Sequence, residues 1–195
     1  ILAIDLGTDM VPVLALGNEP PEQGLMDKPP RNVREHVIDR FLVVRAYLFL
    51  GLIQSLAAMA AFYFMYWTNG YWGQWLDLPS TGIIYEAATA MTLGAVVTTQ
   101  IGNLFAQRTE RTSAFRVSWF NNRMLWIGIV SELLIVSMII YIPFFQQLFG
   151  TASFPLANWV FLFAWTPSLL LADEFRKALL RKREKGRKNV AEGGV

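Results

Sequence analysis

"IDLGTDMVP", residues 4–12, sets two aspartates, Asp5 and Asp9, inside an otherwise apolar run from Ile1 to Leu16 that Gly7 and Pro12 interrupt. Whether that run lies in a membrane decides the fold. An aspartate at the centre of a spanning helix costs about 2.5–3.5 kcal/mol on insertion scales, so two cost about 5–7. Leu2, Ile4, Leu6, Val11, Val13, Leu14 and Leu16 return about 0.3–0.6 kcal/mol each, roughly 2–4 in total. The balance is unfavourable. The segment is therefore expected to be surrounded by protein, with its carboxylates protonated, paired or bound to cations.

The rest of the chain is membrane-like. Of its 195 residues 54% are hydrophobic and only 16% charged, with a mean hydropathy of +0.35. Soluble domains run nearer one quarter charged. The 17 Lys and Arg fall in islands: Lys28, Arg31, Arg34 and Arg40, with Arg45 just beyond; then Arg108, Arg111, Arg116 and Arg123; then the tail from Arg176 to Lys188. Between them lie apolar runs near or above the ~20 residues needed to cross hydrocarbon. Five spans are read, at about 1–17, 41–67, 84–107, 124–145 and 156–175. The connections 68–83 and 146–155 carry no Lys or Arg, so basic and non-basic connections alternate, as the positive-inside rule requires. The loops 18–40 and 108–123 and the tail 176–195 are accordingly cytoplasmic. The fold expected is all-α, a membrane bundle of five transmembrane helices.

Ile1 opens in mid-hydrocarbon with no charged n-region, so the chain is expected to be the C-terminal piece of a longer, multi-pass integral membrane protein. No cysteine occurs, which excludes disulfides and thiolate metal sites. The net charge of +2 suggests no nucleic-acid surface, and the basic tail suits a membrane-proximal anchor drawn to anionic head groups.

Pro12 has no N–H, so the Thr8 carbonyl loses its helical partner, and Gly7 permits unwinding beside it. The first helix is expected to be locally unwound around Gly7–Asp9. Broken helices at membrane depth expose carbonyls as well as side chains, and such sites coordinate cations in transporters. Asp5, Thr8 and Asp9 offer oxygen ligands suited to hard cations. The structural alternative is that both acids pair with basic residues of other helices.

Other polar groups share that depth. Counting 1.5 Å per residue from the cytoplasmic ends, Asp9 lies ~12 Å deep, Asp5 ~18 Å, Gln100 ~10 Å and Glu132 ~12 Å. Asn103 is one turn shallower than Gln100 on the same face. Gln100 and Asn103 have small neighbours, Thr98, Thr99 and Gly102, and bonding to an adjacent helix is their alternative role. Glu132 has Ser131 as its polar companion, and a neutral acid or proton carrier is the alternative to a ligand. Glu86 is expected near head groups, Asp173 and Glu174 to pair with Arg176 and Lys177, His36 in an exposed loop, and Arg45 to snorkel to the interface. The aromatic run 63–75 suits an outer interfacial belt.

"DLGTDMVP" followed by "EPPEQGLMDKPPRN" resembles the sixth transmembrane helix and following cytoplasmic loop of type II P-type cation ATPases, the family of the calcium pump and the sodium/potassium pump. "TTQIGNLFAQRT" resembles the eighth helix, "GIVSELL" the ninth and "LLADEFRKALLRK" the end of the tenth. The resemblance covers nearly the whole chain. It implies that the spans are helices six to ten of such a pump, and that Asp5, Thr8 and Asp9 match the sixth-helix cation ligands. Gln100 and Asn103 match eighth-helix positions, and Glu132 a ninth-helix acid associated with the third sodium site. Asp5 is as in the sodium/potassium pump, whereas Asn103 is as in the sarcoplasmic-reticulum calcium pump, so the transported cation is left between Na⁺/K⁺ and Ca²⁺.

The family's phosphorylated-aspartate motif, DKTGT, does not occur here, and this stretch contains no catalytic residue of its own. ATP and Mg²⁺ are expected to be used by cytoplasmic domains outside it, its partners being those domains, the remaining helices and the lipid bilayer. Set against the sodium/potassium pump it resembles, the loop 68–83 is short and lacks the longer segment that contacts an accessory subunit there, so the resemblance implies no dedicated accessory subunit. The location implied is a plasma or cytoplasmic membrane. The alternative function is an ion-coupled secondary transporter or channel, which often shows a second broken acidic helix; no second "DxxxD" segment appears in the spans.

Overall fold

A computed structural model describes residues 2–20, 40–109 and 112–192; for 2–9, 41 and 183–192 it describes the backbone alone. His36 and most of the loop 18–40 lie outside the described residues. The chain is all-α, with no strand among the described residues. Its elements are α1 (Leu2–Gly17), α2 (Arg40–Val44), a π-helical segment (Arg45–Leu50), α3 (Gly51–Thr68), α4 (Ile83–Gln107), a 3₁₀ turn (Ala114–Arg116), α5 (Arg123–Tyr141), α6 (Pro143–Phe149) and α7 (Asn158–Glu192).

By length and composition, two helical stretches among the described residues are long and apolar enough to cross a membrane, Leu42–Thr68 and Arg123–Tyr141. The helix α4 is long enough but more polar, and its physical position explains this. It packs on both α3 and α7, with fourteen of its residues buried, so little of its surface needs to suit lipid.

The contact between α4 and α7 is built from small residues. A β-carbon on Gly102 would run into the Thr166 carbonyl oxygen, so the two backbones cross there. One turn along, the Thr98 hydroxyl lies 3.2 Å from the Leu162 carbonyl as well as 2.9 Å from its own Gly94 carbonyl. Close backbone approach through Gly and Thr is how helices associate where lipid removes the hydrophobic drive between them.

Proline sets two further boundaries. The expected span 124–145 is interrupted: α5 stops at Tyr141 and α6 begins at Pro143. Pro143 lacks the N–H that would continue α5, and Ile142 before it is extended, with φ −92° and ψ 122°. Gly150, at φ +66°, closes α6 by returning its N–H to the Gln146 carbonyl at 2.8 Å. The helix α7 continues well past the expected span end at 175, through the basic tail to Glu192, and accommodates Pro167 within it.

The bundle has two distinct ends. At one, Tyr66 and Met65 of α3, Ala87 and Met91 of α4, Ile140 of α5, and Phe154 and Leu162 share a core. The aromatic run closes over it: Tyr63 and Trp75 rings lie 4.9 Å apart, Trp67 and Trp75 4.7 Å apart, and Trp72 is 80% exposed. At the other end Ala15, Leu104, Phe105, Leu125, Ile129 and Leu170 form a second core, joining α1, α4, α5 and α7. The Lys- and Arg-free connections meet at the first end. The described parts of 18–40 and 108–123 and the second half of α7 meet at the other.

Candidate functional site

All six candidate ligands sit on α1, α4 and α5, and these three helices are neighbours. The helix α1 lies against α5, running antiparallel to it. Near the end of α1 the Asn122 side chain, just before α5, reaches the Ala15 carbonyl at 2.8 Å. Further into the bundle Gly128 abuts Pro12, where a β-carbon would stand 3.0 Å from the proline Cα. The side chains of Asp5, Thr8 and Asp9 lie outside the described residues. Their backbone is helical: α1 runs unbroken from Leu2 to Gly17 with Pro12 inside it, and the local unwinding expected around Gly7–Asp9 is not present as a break in that run. A proline deletes a single ladder hydrogen bond, and here its ring is backed by α5.

Glu132 is 1% exposed. It lies one turn beyond Gly128 on the same face of α5. The buried acid thus lies one turn from the point where α5 abuts Pro12 of α1.

On α4 the amides occupy a polar stripe. Gln100 and Asn103 are half-buried, and Asn103 Oδ1 accepts from Gln107 Nε2 at 3.3 Å. Gln107 Oε1 in turn accepts from Arg45 Nη2 at 3.2 Å. This stripe adjoins the Ile101, Leu104 and Phe105 face that packs on α1 and α5. Among the described residues no group of three or more His, Cys, Asp or Glu comes close enough to hold a metal ion.

Arg45 has a partner within the bundle. It donates to Asp173 Oδ1 at 2.9 Å. Asp173, fully buried, also meets Arg176 at 2.7 Å and Lys177 at 3.0 Å, the pairing expected from the sequence. Lys177 is buried too, its Nζ donating to the Ala106 carbonyl at 2.8 Å and Thr109 Oγ1 at 3.1 Å. Glu174 accepts from the Ala114 N–H at 2.7 Å. Charges that the sequence places at a membrane edge are in fact the joint between α4, α7 and the segment before α3. The π-helical turn Arg45–Leu50 helps, since a wider turn changes the angular register of Arg45 against α3.

A second joint was not foreseen. Arg108 Nε and Nη2 donate to Glu19 Oε1 at 2.8 and 2.6 Å, and Asn122 Nδ2 donates to Glu19 Oε2 at 2.8 Å. The only sequence signal for it is Asn122 placed just before an apolar run, the pattern of a helix N-cap, and its Oδ1 does accept from Leu125 N at 3.1 Å.

The family model for the C-terminus of cation-transporting ATPases matches residues 1–179. The chain belongs to this family. Among its relatives, a potassium-transporting ATPase alpha chain 2 from Cavia porcellus is 29% identical over 214 residues, covering 93% of this chain and 20% of that protein. A sodium/potassium-transporting ATPase subunit alpha-4 from Rattus norvegicus is 27% identical, with 95% and 20% covered. A calcium-transporting ATPase type 2C member 1 from Homo sapiens is 26% identical, with 98% and 19% covered. The chain therefore spans about one fifth of the length of these relatives. Membership of this cation-ATPase family makes it part of an integral membrane protein. It also supports the resemblance first seen in "DLGTDMVP".

Proposed function

We propose that this chain is the cation-binding and translocating membrane region of an ATP-driven P-type pump. The observation that carries the reading is the convergence of α1, α4 and α5, which bear every acid and amide picked out by depth, in one shared core. Asp5, Thr8 and Asp9 supply oxygens from α1, Gln100 and Asn103 from α4, and Glu132 from α5. In the loaded pump α1 opens locally around Gly7–Asp9. The Thr8 carbonyl, already without a ladder partner, then joins the side-chain oxygens.

Five segments cross the membrane, at about 1–17, 41–67, 84–107, 124–145 and 156–175. The gathering of the basic connections at one end of the bundle and the Lys- and Arg-free ones at the other supports this topology. The basic end faces the cytoplasm, where further domains of the whole protein bind ATP and Mg²⁺ and carry the phosphorylated aspartate. The transported cation is Na⁺/K⁺ or Ca²⁺, in keeping with relatives named for potassium, sodium/potassium and calcium transport. The membrane is the plasma or cytoplasmic membrane, and the pump works without a dedicated accessory subunit, as the short loop 68–83 suggests.

The test is the ATPase activity of the full-length protein titrated separately with Ca²⁺, Na⁺ and K⁺. Saturable stimulation by one of these regimes is expected and names the ion. Activity indifferent to all three contradicts the reading.

A further inference from the structure

Glu19, Arg108 and Asn122 form a closed polar unit at one end of the bundle. Arg108 is 8% exposed and Asn122 7%. Glu19 Oε1 takes two N–H groups from Arg108, and Oε2 takes one from Asn122. The two Asn122 Nδ2 hydrogens go to Glu19 and to the Ala15 carbonyl, each at 2.8 Å, while its Oδ1 caps Leu125 N at 3.1 Å. Arg108 also donates to the Ser118 carbonyl at 3.1 Å, which holds the loop between α4 and α5 in the same unit. Every side-chain hydrogen-bonding group of Asn122 is used, and both carboxylate oxygens of Glu19.

Each partner belongs to a different ligand-bearing helix. Ala15 and Glu19 fix the end of α1, Arg108 follows directly on α4, and Asn122 caps α5. Along the helices, Asp9 is ~9 Å from Ala15, Asn103 ~8 Å from Arg108 and Glu132 ~15 Å from Asn122. Helices slide as near-rigid rods over such distances, so the unit sets the axial register of α1 against α4 and α5. Cation–oxygen distances tolerate only a few tenths of an ångström before affinity falls, and register is therefore ligand spacing. Glu19 is also the second residue after α1, so the carboxylate fixes α1 at its very end.

We infer that Glu19, Arg108 and Asn122 are positioning residues that set the cation affinity of the pump by holding α1, α4 and α5 in register. This rests on the reading under Proposed function. It is tested in the full-length protein by measuring the half-saturating concentration of the stimulating cation for phosphorylation by ATP, and the number of cations occluded at saturation. Glu19→Gln and Arg108→Gln are each expected to raise the half-saturating concentration by about tenfold, the range of ordinary coupling energies, with site number unchanged. The double variant is expected to match the singles rather than multiply them, because both break one unit. Arg108→Lys keeps the charge but not the forked contacts, and is expected to shift in the same direction by less.

Wild-type half-saturation retained by folded Glu19→Gln and Arg108→Gln, or multiplicative losses in the double variant, overturn the inference. Should Arg108→Gln fail to fold, Arg108→Lys decides alone: a weaker affinity supports the inference and an unchanged one overturns it. Failure of the underlying reading is distinguishable, since the wild-type protein itself then shows no cation-stimulated phosphorylation.

Discussion

Gly128 of α5 rests on Pro12 of α1 so closely that a β-carbon on the glycine would stand 3.0 Å from the proline Cα and 3.1 Å from its nitrogen. The neighbouring atoms are backbone, which cannot rotate aside as a side chain does. Gly128→Ala should therefore move α1 and α5 apart at this crossing, one turn from Glu132. Overpacking of this kind costs about 1–3 kcal/mol, against a gain of about 0.5–1 from replacing a helical glycine with alanine. A net loss of thermal stability and a weakened cation affinity are expected, measured by unfolding in detergent and by cation titration of phosphorylation.

The three glycines at helix contacts should rank in order of what they touch. Gly102→Ala drives a β-carbon into the Thr166 carbonyl oxygen and should be the most damaging, at the upper end of the overpacking range of about 1–3 kcal/mol or beyond. Gly128→Ala should follow. Gly94→Ala meets the Leu162 Cδ1 at 2.8 Å, a methyl that can swing away, and the Phe154 ring at an ordinary 3.9 Å, and should be close to neutral. Melting temperatures of the three variants test the order; Gly94→Ala falling below Gly102→Ala contradicts it.

Asp173 gathers Arg45, Arg176 and Lys177 within 3.0 Å. Asp173→Asn leaves three cations without their shared carboxylate and should cost about 3–5 kcal/mol, as breaking a buried pair does. Lys177→Met removes one cation and keeps the other two paired, while filling nearly the same volume. It should cost less, chiefly through the donor lost from the Ala106 carbonyl and the Thr109 hydroxyl. Chemical denaturation in mixed micelles measures both, and equal losses contradict the assignment of Asp173 as the hub.

Much of this was legible in the sequence because membrane helices announce themselves by length, composition and charge placement. The all-α architecture and the Asp173 pairing with Arg176 and Lys177 follow from such local rules. What the sequence concealed depends on approach between segments far apart in the chain. Arg45 meets Asp173 across 128 positions, and Arg108 meets Glu19 across 89, neither of which periodicity encodes. Pro143 did mark the end of α5, but the apolar residues beyond it carried the expected span to 145. The continuity of α1 through Pro12 also escaped local reasoning. A glycine and a proline weaken a helix by themselves, whereas packing of α5 against the proline is a tertiary contribution.

The central claim is that the acids of α1 hold the transported cation, and Asp9 tests it most directly. In the full-length pump, cation-stimulated phosphorylation by ATP is measured for the wild type and for Asp9→Asn, with nucleotide binding as the control. Loss of an outer-shell partner costs 10–100-fold in metal affinity, so loss of a direct carboxylate should raise the half-saturating cation concentration by more than about a hundredfold. The account predicts that loss with nucleotide binding intact. Stimulation of Asp9→Asn at the wild-type cation concentration would contradict it.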